Sequence, residues 1–351
     1  MHPSTMAATA REASTAGSSS PRTSFVADSL ILPTRNGRLF ASAFALVYVH
    51  TFVSLSVAVL YAHPLATAVL LRVYSLVRDN DGGPGRSQHV VYASESDNEI
   101  RGHAKKLLVV YLAYLASQLA TRVAVALAAS ATCRGDRRPR SLAELVRGKA
   151  AAGRVRGTLA TAALVAVVEH ASLAALLASC LALASWRWWT SGAAARSDAA
   201  ASFVTGYVLF LLLLLLLSHL FLAAVFQVAI AASAADEGYG EGGTRAAFRR
   251  AWRLMAERAR RKEAAVMVVV ASLLPVAISP AYAFAMYCSQ RAPDAGIIGV
   301  LHGYLLPSVG VQLLSTVAAA MFYHRCMEHH HDPAVLQPRT KLAIAKSSVI
   351  D

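Results

Sequence analysis

The chain has 351 residues, enough for two soluble domains, yet 56% of them are hydrophobic and only 15% charged, with a mean hydropathy of +0.46. That balance argues against soluble domains and for an all-α polytopic membrane protein. The formal charge of +14 would suit nucleic acid if it formed one surface, but it is confined to particular loops; no nucleic acid partner is expected. Arginine greatly outnumbers lysine and alanine is abundant, a bias that reads as the imprint of a GC-rich genome.

Residues 1–23 are rich in Ser, Thr and Ala, almost without acid and without an apolar run. They cannot offset the entropy of ordering and are expected to form a disordered tail, although the same composition fits an organelle transit peptide. No apolar run of signal-peptide type precedes residue 39, so a cleaved secretory signal is not expected. A membrane domain is expected over 24–326, with six spans at about 39–61, 107–129, 159–185, 202–230, 264–287 and 297–323, because crossing a hydrocarbon layer takes about 20 apolar residues. The fourth is the plainest, with seven consecutive leucines, Leu211 to Leu217. A short polar cytoplasmic tail is expected over 327–351.

Between the first two spans, the apolar segment 65–77 carries Arg72 and is short for a crossing, so it is expected to lie at the interface or dip in. The stretch Asp79 to Lys106 reads as a polar, turn-rich loop.

Lys and Arg sort the loops into two classes. Residues 130–156 hold eight and the loop between spans four and five holds eight; residues 186–201 hold only Arg187 and Arg196, and the loop between spans five and six only Arg291. Basic residues are retained on the cytoplasmic side, which places both termini there. Six basic residues in the first loop run against this pattern, and a crossing by 65–77 would move the N-terminus alone. Trp186, Trp188 and Trp189 stand at the expected outer end of span three, where indoles favour the headgroup region.

A short helix is expected before each pair of spans, giving three units of cytoplasmic amphipathic helix plus helical hairpin. Ser141 to Glu144 form a capping box. In the third unit Thr244 is expected to cap, Phe248, Ala251, Trp252 and Met255 recur on one face, and Arg249, Arg250 and Arg253 gather opposite, as suits contact with an anionic leaflet or a partner protein. The first copy is Phe25 to Leu32, before Pro33.

Three stretches carry a resemblance: Ser24–Phe25 to Phe40, the His63–Pro64 pair, and Gln227 to Leu254 with its Tyr239–Gly240 pair. They resemble a plant family of six-span integral membrane proteins with no assigned biochemical activity. The resemblance implies architecture and no reaction; the glycines between Gly238 and Gly243 and the arginine density depart from the family pattern.

Two ionisable residues fall well inside spans, Arg122 and Glu169, the latter next to His170. A charge in lipid costs at least about 2.5 kcal/mol, so the two are expected to pair. The pair reads either as a structural bridge or, with His170 and His219, as part of a proton or ion path. Pro275, Pro280 and Pro307 are expected to kink or unwind spans five and six, through packing or at a transport site. Tyr323 to Asp332 contain Cys326 and several histidines, but adjacent histidines cannot all face one ion on a helix, so no metal is expected. Cys326, just past a span, is a candidate for acylation. Cys180 and Cys288 fall near the same end of two spans and could bridge, although free thiols are expected. Motifs of hydrolases, nucleotide-binding loops and dinucleotide folds are missing, so neither catalysis nor a cofactor is expected. The function expected is a non-enzymatic integral membrane component, with a small transporter or channel as the alternative, in an endomembrane or plasma membrane rather than the chloroplast.

Overall fold

The computed structural model describes residues 24–80, 89–135, 141–147, 149–192, 198–235, 243–291 and 300–331. The tails 1–23 and 332–351, the Tyr239–Gly240 pair and part of the basic loop at 136–140 lie outside them. All the regular elements among the described residues are helices: α1 (Ser24–Arg35), α2 (Gly37–Val57), α3 (His63–Asn80), α4 (His89–Cys133), α5 (Leu142–Val146), α6 (Lys149–Gly192), α7 (Asp198–Ala235), α8 (Gly243–Ala256), α9 (Arg261–Val268), α10 (Leu274–Arg291) and α11 (Leu306–His331). Six stretches are long and apolar enough to cross a membrane: Gly37–Leu71, Ile100–Cys133, Ala152–Leu183, Thr205–Ala235, Arg261–Phe284 and Gly303–Glu328. These are what a multi-pass integral membrane protein requires. A short helix (α1, α5 or α8) precedes two long ones three times over.

Two expectations for the first loop are corrected. Segment 65–77 is not a separate interfacial element, because a wide π-helical turn at Ala58–Ala62 carries α2 directly into α3. Residues 89–106 are helical, not a turn-rich loop. The turn-formers Gly82, Gly83, Pro84 and Gly85 are clustered before His89, and nothing after them breaks a helix. At 1.5 Å per residue, the 45 residues of α4 extend about 68 Å, twice the hydrocarbon thickness. The helix therefore continues past its apolar part at the end remote from the short helices. Likewise α6 runs through Trp186, Trp188 and Trp189 to Gly192, so the helix does not end where the tryptophans begin.

The core lies at the end that carries the short helices. Ala128 and Ala129 of α4, Ala162 of α6, Ala229 and Ala232 of α7 and Ala318 to Ala320 of α11 are fully buried. Alanine is therefore more than a genomic imprint: lipid gives little hydrophobic drive between helices, so association relies on close van der Waals contact, which small side chains allow. The leucine run behaves oppositely. Leu213, Leu214 and Leu217 are more than half exposed on the surface that lipid would cover, and α7 is buried mainly over Ala224 to Ala234.

Two of the short helices, α1 and α8, pack into this core, while α5 buries none of its side chains. On α1, Phe25 meets Phe322 edge to face at 5.9 Å and Asp28 pairs with Arg325. Ser141 accepts the Glu144 N–H at 3.3 Å, capping α5. Arg134, just beyond α4, donates at 2.9 Å to the Ala234 carbonyl in the last turn of α7, where a cation also complements the helix dipole.

Helix α8 corrects two further expectations. It begins at Gly243, so Thr244 sits inside the first turn and not at the cap. Its buried face is Ala247, Ala251, Leu254 and Met255, docked on the protein core, in place of the expected face through Phe248 and Trp252. Phe248 is half-buried against Phe226 at 5.7 Å. Trp252 meets Phe221 at 5.6 Å yet stays 51% exposed, and Arg245, Arg249, Arg250 and Arg253 face outward.

Candidate intramembrane site

Among the described residues, each of the three π-helical turns just precedes a proline. Ala58–Ala62 comes before Pro64, Val269–Leu273 before Pro275 and Val300–Leu305 before Pro307. Proline has no N–H to donate to the carbonyl four residues back, and its ring crowds that carbonyl. The affected carbonyls belong to Leu60, Ala271 and Gly303, which all lie within the wide turns. Pro280 has a different remedy: Ser279 Oγ donates at 2.7 Å to the carbonyl of Val276, the one that Pro280 leaves without a donor. Side-chain hydroxyls and wider turns are how a membrane helix tolerates proline.

All three wide turns border cavities in the bundle. The first cavity, of about 530 Å³, lies between α4, α6, α7, α10 and α11 and is lined by Arg122, Glu169, His170, His219, Gln227 and Ser272, among others. The second, of about 760 Å³, is walled by Tyr111 and Tyr114 of α4, Tyr282, Tyr304, and His50 of α2. Tyr304, Ser308 and Gln312 line both. Both volumes fall in the usual range for small-molecule sites. The alanine-packed core closes the bundle on the side of the short helices.

In the first cavity, Arg122 Nη1 lies 2.7 Å from Glu169 Oε2, with the two side chains 23% and 16% exposed. Hydrogen-bond logic fixes the neighbouring histidines. His170 Nδ1 is 2.7 Å from the Ala166 carbonyl, which only accepts, so in the neutral ring Nδ1 carries the proton. Ser172 Oγ gives its single proton to the Glu169 carbonyl at 2.8 Å. It must therefore accept from His219 Nδ1, also at 2.8 Å. In its neutral form each ring then leaves Nε2 as the acceptor nitrogen.

The second cavity has the more apolar lining. His50 Nδ1 is 2.7 Å from Ser117 Oγ, and its ring stacks on Tyr114 at 5.7 Å. Tyr282 and Tyr304 are 5.3 Å apart. Gln312 Nε2 donates to Ser308 Oγ at 3.2 Å and reaches Thr51 Oγ1 at 3.5 Å, spanning the boundary between the chambers.

Of the residues singled out in the sequence, Arg122, Glu169, His170, His219 and Pro275 gather at this site; Pro280 and Pro307 adjoin it in the chain. Arg249, Arg250, Arg253 and Trp252 lie apart, on α8. Sequence reasoning missed His50, Ser117, Ser272 and the stripe Ser308, Gln312, Ser315 and Thr316. That stripe follows helical spacing on one face of α11 and was the available signal. Cys326 is fully buried, which corrects the acylation reading, and Cys180 is a free, exposed thiol. The Cys288 side chain lies outside the description. Among the described residues no group of three or more His, Cys, Asp or Glu is placed to hold a metal ion. Neither a family model, nor a curated protein, nor a solved structure matches the chain.

Proposed function

We propose that this is a non-enzymatic multi-pass membrane protein that admits a small polar solute into the paired cavities, as a transporter or channel does. One observation carries the reading: all six apolar helices turn polar side chains toward two adjoining chambers, where lipid would otherwise reward apolar packing. The chambers lie on one side of the alanine core, as in an alternating-access protein closed on its basic face. The sparse polar residues of each span argue little against this once the six helices are brought together.

The test uses a variant with Cys133, Cys180, Cys288 and Cys326 changed to Ser, reconstituted in sealed vesicles. Gln312→Cys is expected to react with a membrane-impermeant methanethiosulfonate added on the side away from the basic loops, and Ala319→Cys is not. An unreactive Gln312→Cys from both sides refutes the reading.

A second reading has its own support. The outward stripe of Arg245, Arg249 and Arg253 beside the exposed Trp252 is suited to an anionic leaflet or an acidic partner protein at the cytoplasmic face. With both termini cytoplasmic and the resemblance to the plant six-span family, the fitting location is an endomembrane or the plasma membrane.

A further inference from the structure

We propose that the first cavity opens sideways into the bilayer between α7 and α10 and takes from the membrane an uncharged amphiphile, its polar head near Arg122 and Glu169 and its apolar body along the opening. The inference rests on reading the cavities as a solute site. It adds an entrance and joins the solute's small polar group to an apolar body.

The opening follows from Pro275. Before it, the wide turn Val269–Leu273 is packed on α7, and Ser272 Oγ of that turn donates at 2.6 Å to the Leu220 carbonyl. Beyond it, α10 takes most of its packing from the turn Val300–Leu305 and from α11. A proline after a widened turn is a recognised cause of such a divergence. The cavity occupies the space between the two helices, lined by Leu216 and His219 of α7 and by Pro275, Val276 and Ile278 of α10.

Three of the lining residues also belong to the outer surface: Leu173 is 48% exposed, Leu216 43% and Val276 55%. By the 1.5 Å rise of a helix they stand about 12–17 Å inside the outer ends of their spans, at Leu183, Thr205 and Phe284. A hydrocarbon layer is about 30 Å thick, so that depth is near its middle. An opening there faces acyl chains and not water.

The polar lining alone does not choose a head group. Arg122 gives one N–H to Glu169 and keeps the others, Glu169 Oε1 accepts, and the amides of Gln118, Gln227 and Gln312 do both. The route does the choosing. Hydrocarbon penalises an ionic head heavily and a hydroxyl or amide far less, and such a head meets donors and acceptors alike. Leu173, Leu216 and Val276 then line the way for its alkyl or ring portion.

The test reconstitutes full-length protein in vesicles holding a trace of hexadecanol with a photoreactive diazirine in its chain. After photolysis, mass spectrometry is expected to find adducts on the cavity-lining segments 216–223 and 275–278, and excess hexadecanol is expected to remove them. Hexadecyltrimethylammonium and hexadecyl sulfate are expected to compete far less. Val276→Trp and Leu216→Trp, each filling the opening from an exposed position, are expected to abolish the adducts and leave aqueous modification of Gln312→Cys as it was. Leu213→Trp, on the exposed face of α7, is expected to leave the adducts in place. Adducts that excess hexadecanol does not displace show surrounding lipid only and overturn the proposal. Equal competition by either ion overturns it too, as does undiminished labelling in both filling variants. No cavity adducts, with Gln312→Cys still reactive, removes the lateral opening and leaves a solute site reached from water. An unreactive Gln312→Cys removes the reading on which the inference rests.

Discussion

Arg122 on α4 and Glu169 on α6 meet at 2.7 Å, 47 positions apart in the chain, in the apolar part of both helices. Neither charge is tolerated alone in that setting, and each supplies the condition for the other.

Removing one partner is therefore worse than exchanging both. Arg122→Gln and Glu169→Gln are each expected to cost about 2–3 kcal/mol. The exchange Arg122→Glu/Glu169→Arg is expected to recover most of that loss. Thermal unfolding of the three variants in one detergent decides it; an exchange no more stable than the single changes shows that the residues do not depend on each other.

The alanine core leaves no room for larger side chains. Ala229→Leu and Ala319→Leu are each expected to destabilise by about 1–3 kcal/mol through overpacking. Leu213→Ala, on the exposed face of α7, is expected to change stability by less than about 0.5 kcal/mol. Comparable losses at all three positions would contradict the packing described here.

Pro307 should matter more to the site than to the fold. Pro307→Ala restores a donor to the Gly303 carbonyl, so the wide turn is expected to tighten and swing Tyr304 out of the wall it shares between the chambers. The expected outcome is unchanged or higher thermal stability with slower modification of Gln312→Cys. Unaltered modification would show that the wide turn does not shape the passage.

On α8, Arg245→Gln/Arg249→Gln/Arg253→Gln leaves the buried face untouched. It is expected to keep the melting temperature and to reduce co-purifying anionic lipid, at about 1 kcal/mol for each charge removed. Lipid quantified by mass spectrometry checks this, with Leu254→Ala as the contrast that weakens docking of the helix. An unchanged lipid content would leave the stripe to a protein partner.

Where the helices are apolar, their number and type are determined by the sequence alone, because a crossing needs a run of apolar residues whatever packs beside it. The ends of those helices were less legible. Residues 89–106 read as a loop through their polarity, but polarity disfavours burial and not helix formation. The α8 face was displaced for a related reason: periodicity identifies an apolar side but not what covers it, and the protein core took Ala247 and Leu254 while Trp252 stayed at the edge.

The prolines, the ion pair and the capping box at Ser141 could be named from the sequence because each is a local chemical demand. That the wide turns before Pro64, Pro275 and Pro307 border two adjoining chambers, and that His50, Gln312 and Glu169 line them together, was decided only by tertiary structure. A polar side chain in a span must find a partner, but which one depends on the rotation and depth of every helix. Those are set by alanine contacts far along the chain, and no local pattern records them.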